Sequence, residues 1–154
     1  MPAASPLPRS VAQGSVLLLL IGLLVLPGCG DDGPKGGPRI ETFPITGAVT
    51  VDGKPVETLL VVCHPVTPGP IPTTISSFTD KEGKFSIGTY ESGDGAPEGE
   101  YKLTFMWGQW NMNGRYGGPD KLHDRYTDPE KPEVAVTVKP GEPIDLGAIS
   151  LTTE

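Results

Sequence analysis

The chain has little cysteine, little histidine, few aromatics and a deficit of positive charge. Two cysteines, Cys29 and Cys63, and two histidines occur among 154 residues. A multi-bridge disulfide framework is therefore excluded, and His64 and His123 do not make a ligand-type cluster. Twelve basic residues face 19 acidic ones, for a net charge of −7. Phosphate backbones are held by clusters of Lys and Arg, so nucleic acid is excluded as a partner. The same balance suits a soluble, non-sticky surface. Long apolar runs are also missing: residues 16–26 fall short of the roughly 20 apolar residues that cross a bilayer comfortably. Glycine and proline, by contrast, are abundant, at 21 and 18 residues. Spread evenly, that content would signal disorder. Here it clusters between alternating apolar runs and punctuates them.

The short apolar run has a specific ending. Arg9 supplies an early positive charge, residues 16–26 form the apolar middle, and the run stops at Leu26-Pro27-Gly28-Cys29 before the polar Gly30-Asp31-Asp32. This is the layout of a secretory signal, and the last four residues resemble the lipobox of bacterial lipoproteins. Pro27 departs from that pattern, where Ala, Ser or Thr is more usual. The resemblance implies cleavage before Cys29 and lipid attachment to its thiol. The membrane, reached through that lipid, is then the first expected partner. Gly30 after the cysteine favours the outer membrane or an outward-facing leaflet of the cell envelope. Residues 1–28 read as a signal peptide, 29–43 as a lipidated flexible tether, and 44–154 as one domain. With Cys29 acylated, Cys63 has no partner for a disulfide within the chain. Its apolar neighbourhood, Leu59-Leu60-Val61-Val62-Cys63, makes it a buried, inert thiol.

The domain reads as β throughout. Ile45, Gly47, Val49 and Val51 alternate on one face of a first strand. Asp52-Gly53 supplies the positive φ of a tight hairpin turn, and residues 56–64 return as a second strand, with Leu59, Val61 and Cys63 on one face. Residues 65–72 are a proline-rich loop. Residues 75–79 and 85–90 are two more strands around the turn Asp80-Lys81-Glu82-Gly83. That turn lacks the further oxygen ligands of a calcium loop. Tyr101, Leu103, Phe105 and Trp107 alternate on a fifth strand; Val134, Val136 and Val138 mark a sixth. Ile144, Leu146, Ile149 and Leu151 mark a seventh, its phase shifted at Gly147. Seven short strands with turns between them and no convincing helix predict a two-sheet β-sandwich of immunoglobulin-like kind. Val49, Val61, Phe85, Leu103, Phe105 and Val136 are its expected core.

Longer motifs give a resemblance. Gly47-x-Val49-x-Val51-Asp52-Gly53-Lys54-Pro55-Val56, Thr79-Asp80-x-x-Gly83-x-Phe85 and Gly99-x-Tyr101-x-Leu103 resemble carboxypeptidase regulatory-like domains, which are transthyretin-like sandwiches. Gly93-Asp94-Gly95-Ala96-Pro97-Glu98-Gly99-Glu100-Tyr101 and Tyr126-Thr127-Asp128-Pro129 are similar to small bacterial lipoproteins carrying one such domain. The resemblance spans residues 44–151. It implies a fold and an envelope location but no established activity, since in larger enzymes this domain is an accessory.

The expected function is accordingly a non-catalytic, membrane-anchored structural or protein-binding module of the envelope, with no cofactor or metal. An alternative is carbohydrate binding. Residues 108–132 form a long connection of the sort that often carries function, and its start is rich in Gly and Asn. There, Trp107, Trp110 and Tyr116 could stack on sugar rings while Gln109, Asn111 and Asn113 take hydroxyls. Against that stands Trp107 filling the core and Trp110 packing down the loop. A hydrolase reading rests on Asp94, Glu98 and Asp124 as candidate acids, which no spacing brings together. The catalytic relatives of the transthyretin fold end in Tyr-Arg-Gly-Ser, whereas this chain ends in Leu151-Thr152-Thr153-Glu154. A third possibility is an exposed edge accepting a partner strand.

Overall fold

The computed structural model describes residues 39–69 and 75–154. The expected signal peptide, Cys29 and the first part of the expected tether lie outside those residues, as do residues 70–72 of the proline-rich loop. The described chain is all-β, with ten strands in order: β1 Ile45–Val51, β2 Lys54–Pro55, β3 Leu60–Pro65, β4 Ile75–Phe78, β5 Lys84–Ser86, β6 Gly99–Met106, β7 Gln109–Trp110, β8 Tyr116–Gly117, β9 Val134–Val138 and β10 Ile144–Leu151. The seven strands read from alternation are β1, β3, β4, β5, β6, β9 and β10. The other three are two-residue ribbons, too short to show a period.

Two four-stranded sheets face each other. In sheet I, β1 is central: β10 pairs with it in parallel, while β5 and β2 pair antiparallel along its other edge. In sheet II the order is β4-β3-β6-β9, all antiparallel. Alternation puts Ile45, Val49 and Val51 of sheet I, and Val61, Cys63, Leu103 and Phe105 of sheet II, into a shared core, each at most 4% exposed. Of the expected core residues, Val136 alone is only partly buried, because β9 is an edge strand. Each such buried side chain contributes about 1.5–3 kcal/mol.

Three local features shape the corners and edges of the sandwich. The Asp52-Gly53 turn forms with φ of 50° and 76°, but the returning chain is divided. Lys54–Pro55 stays in sheet I, and Leu60–Pro65 crosses into sheet II. The corner between them is set by Thr58, whose φ is +64°. The buried Thr79 hydroxyl braces it, donating to the Val56 carbonyl at 2.7 Å and accepting the Leu59 N–H at 2.9 Å. The phase shift at Gly147 is also present: Gly147 takes φ +65°, and the β1–β10 register slips opposite it, between Thr46 and Ala48.

Residues 39–43, read from the sequence as tether, lie against the sandwich. Arg39 pairs with Glu91 at 2.8 Å and its guanidinium lies over the Tyr90 ring. The Ile40 N–H donates to the Tyr90 hydroxyl, and Phe43 forms a bridge with Ala96. A Cβ on Gly95 would collide with the Phe43 carbonyl, so this approach requires glycine. Residues 39–43 thus meet the sandwich at one pole, the near pole, where β6 also starts. Over its length β6 travels about 25 Å, at roughly 3.3 Å per residue, to the far pole.

Candidate functional site

The far pole carries the most distinctive exposed surface. After Met106 the chain leaves sheet II and folds β7 against β8 as a small hairpin, with Trp110 paired to Tyr116 and Gln109 to Gly117. The hairpin tip is a side-chain-closed turn. The Asn111 Oδ1 accepts the N–H groups of Asn113 and Arg115, both at 2.9 Å, and Gly114 takes φ +69°. Asn111 thereby supplies the local bonds that a longer ladder would otherwise provide.

Tyr116 fixes the hairpin to the sandwich. Its hydroxyl accepts the Gly108 N–H at 2.7 Å, donates to the Thr58 carbonyl at 2.6 Å and lies 3.2 Å from the Met106 carbonyl. One phenol therefore joins the hairpin base, the sheet-crossing corner and the end of β6. Burial pushes the Tyr116 phenol above its ordinary range, partly opposed by the Gly108 N–H it accepts. Its ring meets Phe78 of β4 edge-on at 4.8 Å, Trp110 lies 5.3 Å from Tyr116, and Trp110 lies 5.4 Å from Phe78. In register, Phe78, Leu60 and Met106 form one cross-strand row on the outer face of sheet II. That apolar row is where the hairpin attaches.

Much of this cluster remains open to solvent. Trp110 is 54% exposed, Phe78 37%, and Met112 at the tip fully so. Arg115 is also exposed. An apolar side chain held out by a turn this well bonded is not packing a core.

Of the expected aromatic set, Trp110 and Tyr116 come together and Trp107 does not join them. Trp107 packs partly buried against the core, with the Lys121 ammonium 4.3 Å from its ring centre. The polar groups offered for a sugar are also differently disposed. Cross-strand partners share a face and neighbours alternate, so Gln109 and Gly117 point away from the Trp110–Tyr116 face. The Asn111 oxygen is already occupied by the turn.

Among the candidate acids, Asp94 serves the backbone. Asp94 accepts the N–H groups of Thr89, Tyr90 and Glu91 at 2.6–3.1 Å. Asp80 closes its turn by accepting from Glu82 and Lys84. Asp124 and Glu98 stand on separate connections. Two residues without a sequence signature of their own organise the long connection. Asp120, 8% exposed, accepts the N–H groups of Trp107, Leu122 and Asp124. Leu122 is fully buried in the core. The available signal was a lone leucine two residues after an aspartate in an otherwise polar stretch. Cys63 is buried, and burial pushes its thiol up to about 12. His64 contacts the Thr104 hydroxyl at 2.8 Å on the outer face of sheet II.

At the near pole a cleft of about 690 Å³ opens between the start of β6 and the end of β3. Phe43, Tyr101, Pro65 and Pro97 lie among its apolar walls, and Glu98 and Glu100 line it as well. The Tyr101 hydroxyl donates to the Pro97 carbonyl at 3.0 Å.

No protein-family model and no curated protein matches this chain. Several solved structures are similar to it. A DUF3823 family protein from Parabacteroides merdae is 18% identical over 74% of this chain and 46% of its own, with a TM-score of 0.38. One from Bacteroides ovatus is 16% identical over 71% and 44%, with a TM-score of 0.40. The major pilin subunit of Bacillus cereus, BcpA, is 12% identical over 72% and 29%, with a TM-score of 0.38. The chain spans less than half the length of each.

Proposed function

We propose that this protein is an exported lipoprotein, anchored through a lipid on Cys29, whose sandwich is a non-catalytic structural or protein-binding module of the cell envelope. The observation that carries the contact role is the far-pole hairpin: Trp110 and Met112 stand exposed on a turn closed by Asn111 and fixed by Tyr116. Trp, Met and Arg are enriched at the cores of protein interfaces, and a rigid segment loses little freedom on docking. The non-catalytic reading is supported by Asp94, whose carboxylate already takes three backbone N–H groups. Anchoring is supported by the apolar run ending at Cys29, and the accessory role by the resemblance to carboxypeptidase regulatory-like domains.

Two measurements test the two halves. Mass spectrometry of the native protein should find an N-terminal, lipid-bearing Cys29; an unmodified Cys29 overturns the anchor. A photoreactive benzoylphenylalanine at position 112 should form protein adducts in intact cells, while the same group at Thr46, on the outer face of sheet I, should not. Equal yields at both positions would remove the hairpin from its assigned role.

A further inference from the structure

Resting on that contact role, we propose that the hairpin's partner is a second copy of this chain, joined head to tail: the far-pole hairpin of one copy enters the near-pole cleft of the next. One surface projects and carries a cation; the other is recessed and carries anions. The hairpin is a rigid apolar projection, Trp110 and Met112, with the exposed cation Arg115 beside it. The cleft, about 690 Å³, has apolar walls that include Phe43 and Tyr101, with the exposed anions Glu98 and Glu100 among its lining residues. Among the described residues, Arg115, Glu98 and Glu100 form no ion pair. A cleft of this size lies in the range that encloses a compact ligand.

Charge also selects the orientation. A net charge of −7 opposes unspecific self-association. Head-to-head contact of two hairpins would set Arg115 against Arg115, and cleft to cleft would set glutamate against glutamate. Only the head-to-tail arrangement places Arg115 against Glu98 and Glu100, the pattern that raises encounter rates and fixes register at interfaces. A heterologous contact of this kind extends into rows when its rotation does not close a ring. Copies tethered at their near poles would form such rows along the bilayer.

The test is disulfide trapping in the full-length, membrane-bound protein carrying Met112→Cys together with Glu98→Cys. Within one copy these positions are at opposite poles, far beyond the roughly 7 Å Cα limit of a disulfide, so a bond joins two copies. Cys63 is buried and does not compete. Mild copper–phenanthroline oxidation should give a ladder of dimers, trimers and higher species on non-reducing gels, and neither single variant should give one. Adding Arg115→Glu should weaken the ladder about tenfold, and adding Glu100→Arg to that variant should restore it. No ladder, or dimers from Met112→Cys alone, overturns the proposal. The position-112 photoprobe separates its failure from that of the contact role. An adduct with a different protein overturns self-association alone; no adduct overturns both.

Discussion

The connection after β5, residues 87–98, and the connection after β6, residues 107–133, are both long, and each is built round one aspartate. Asp94 gathers three backbone N–H groups in the first, and Asp120 gathers three in the second. The first is pressed flat: Ala96 is buried, Gly95 meets the Phe43 carbonyl, and Tyr90 and Glu91 hold Arg39. The second sends Leu122 into the core and, with that attachment made, projects the residue 109–117 hairpin outward. The same carboxylate device therefore serves two ends. Where the loop's own apolar groups lie flat, it seals a pole; where one leucine is enough to secure the loop, the remaining aromatics are left for contact.

Removing the leucine should damage this contrast most. Leu122→Ala should cost about 2–5 kcal/mol, the loss for a fully buried leucine, read as a lowered urea midpoint. Asp120→Ala should follow at roughly 3 kcal/mol, because it leaves the buried Leu122 N–H and two part-buried N–H groups without an acceptor. Asp94→Ala should cost less, about 1–2 kcal/mol, since Asp94 is only part-buried and water can replace it. If the two aspartates prove equal, burial is not what separates the loops. Tyr116→Phe should cost about 1–2 kcal/mol and should open the hairpin to limited proteolysis while leaving the β-sheet circular dichroism intact. Burial holds the Tyr116 phenol above 10.0, so the unfolded chain ionises first and stability falls as pH rises past that value. The Tyr116→Phe variant should lose its share of that alkaline decline. Cys63 contributes a similar decline between 9.0 and about 12 in both proteins. Trp110→Ala should change stability least, by under about 1 kcal/mol, while abolishing photo-adducts at position 112. A large loss of stability there would make Trp110 a packing residue.

Strands with a two-residue period were readable from sequence, because each of β1, β3, β6 and β10 repeats its inward residue often enough to show a face. Cys63 was readable as core for the same reason. Gly147 was readable as a phase break because the apolar residues on either side of it disagree. The parallel pairing of β1 with β10 was not, since nothing local in either strand names a partner about 100 residues away. Asp120 and Leu122 are not legible in the sequence, because a single buried group has no period. The division of the second strand at Thr58 is not legible either: positive φ at a β-branched residue is a tertiary demand, met here by the Thr79 hydroxyl. At the candidate site, Trp110 and Tyr116 were legible as a pair close in sequence, but the ring that completes them, Phe78, comes from another sheet edge.

The parallel pairing of the first and last long strands has a practical corollary. An antiparallel mate would bring the C-terminus back beside Arg39; β10 instead delivers it to the opposite extremity, where Thr153 bonds Asp52 and Thr152 bonds Tyr126. Any affinity handle or fluorescent fusion appended after Glu154 would therefore emerge at the same pole as the exposed tryptophan. A handle placed in the turn at Gly141, at the other extremity, would stay clear of the hairpin but stand beside Pro140 on the rim of the near-pole cleft.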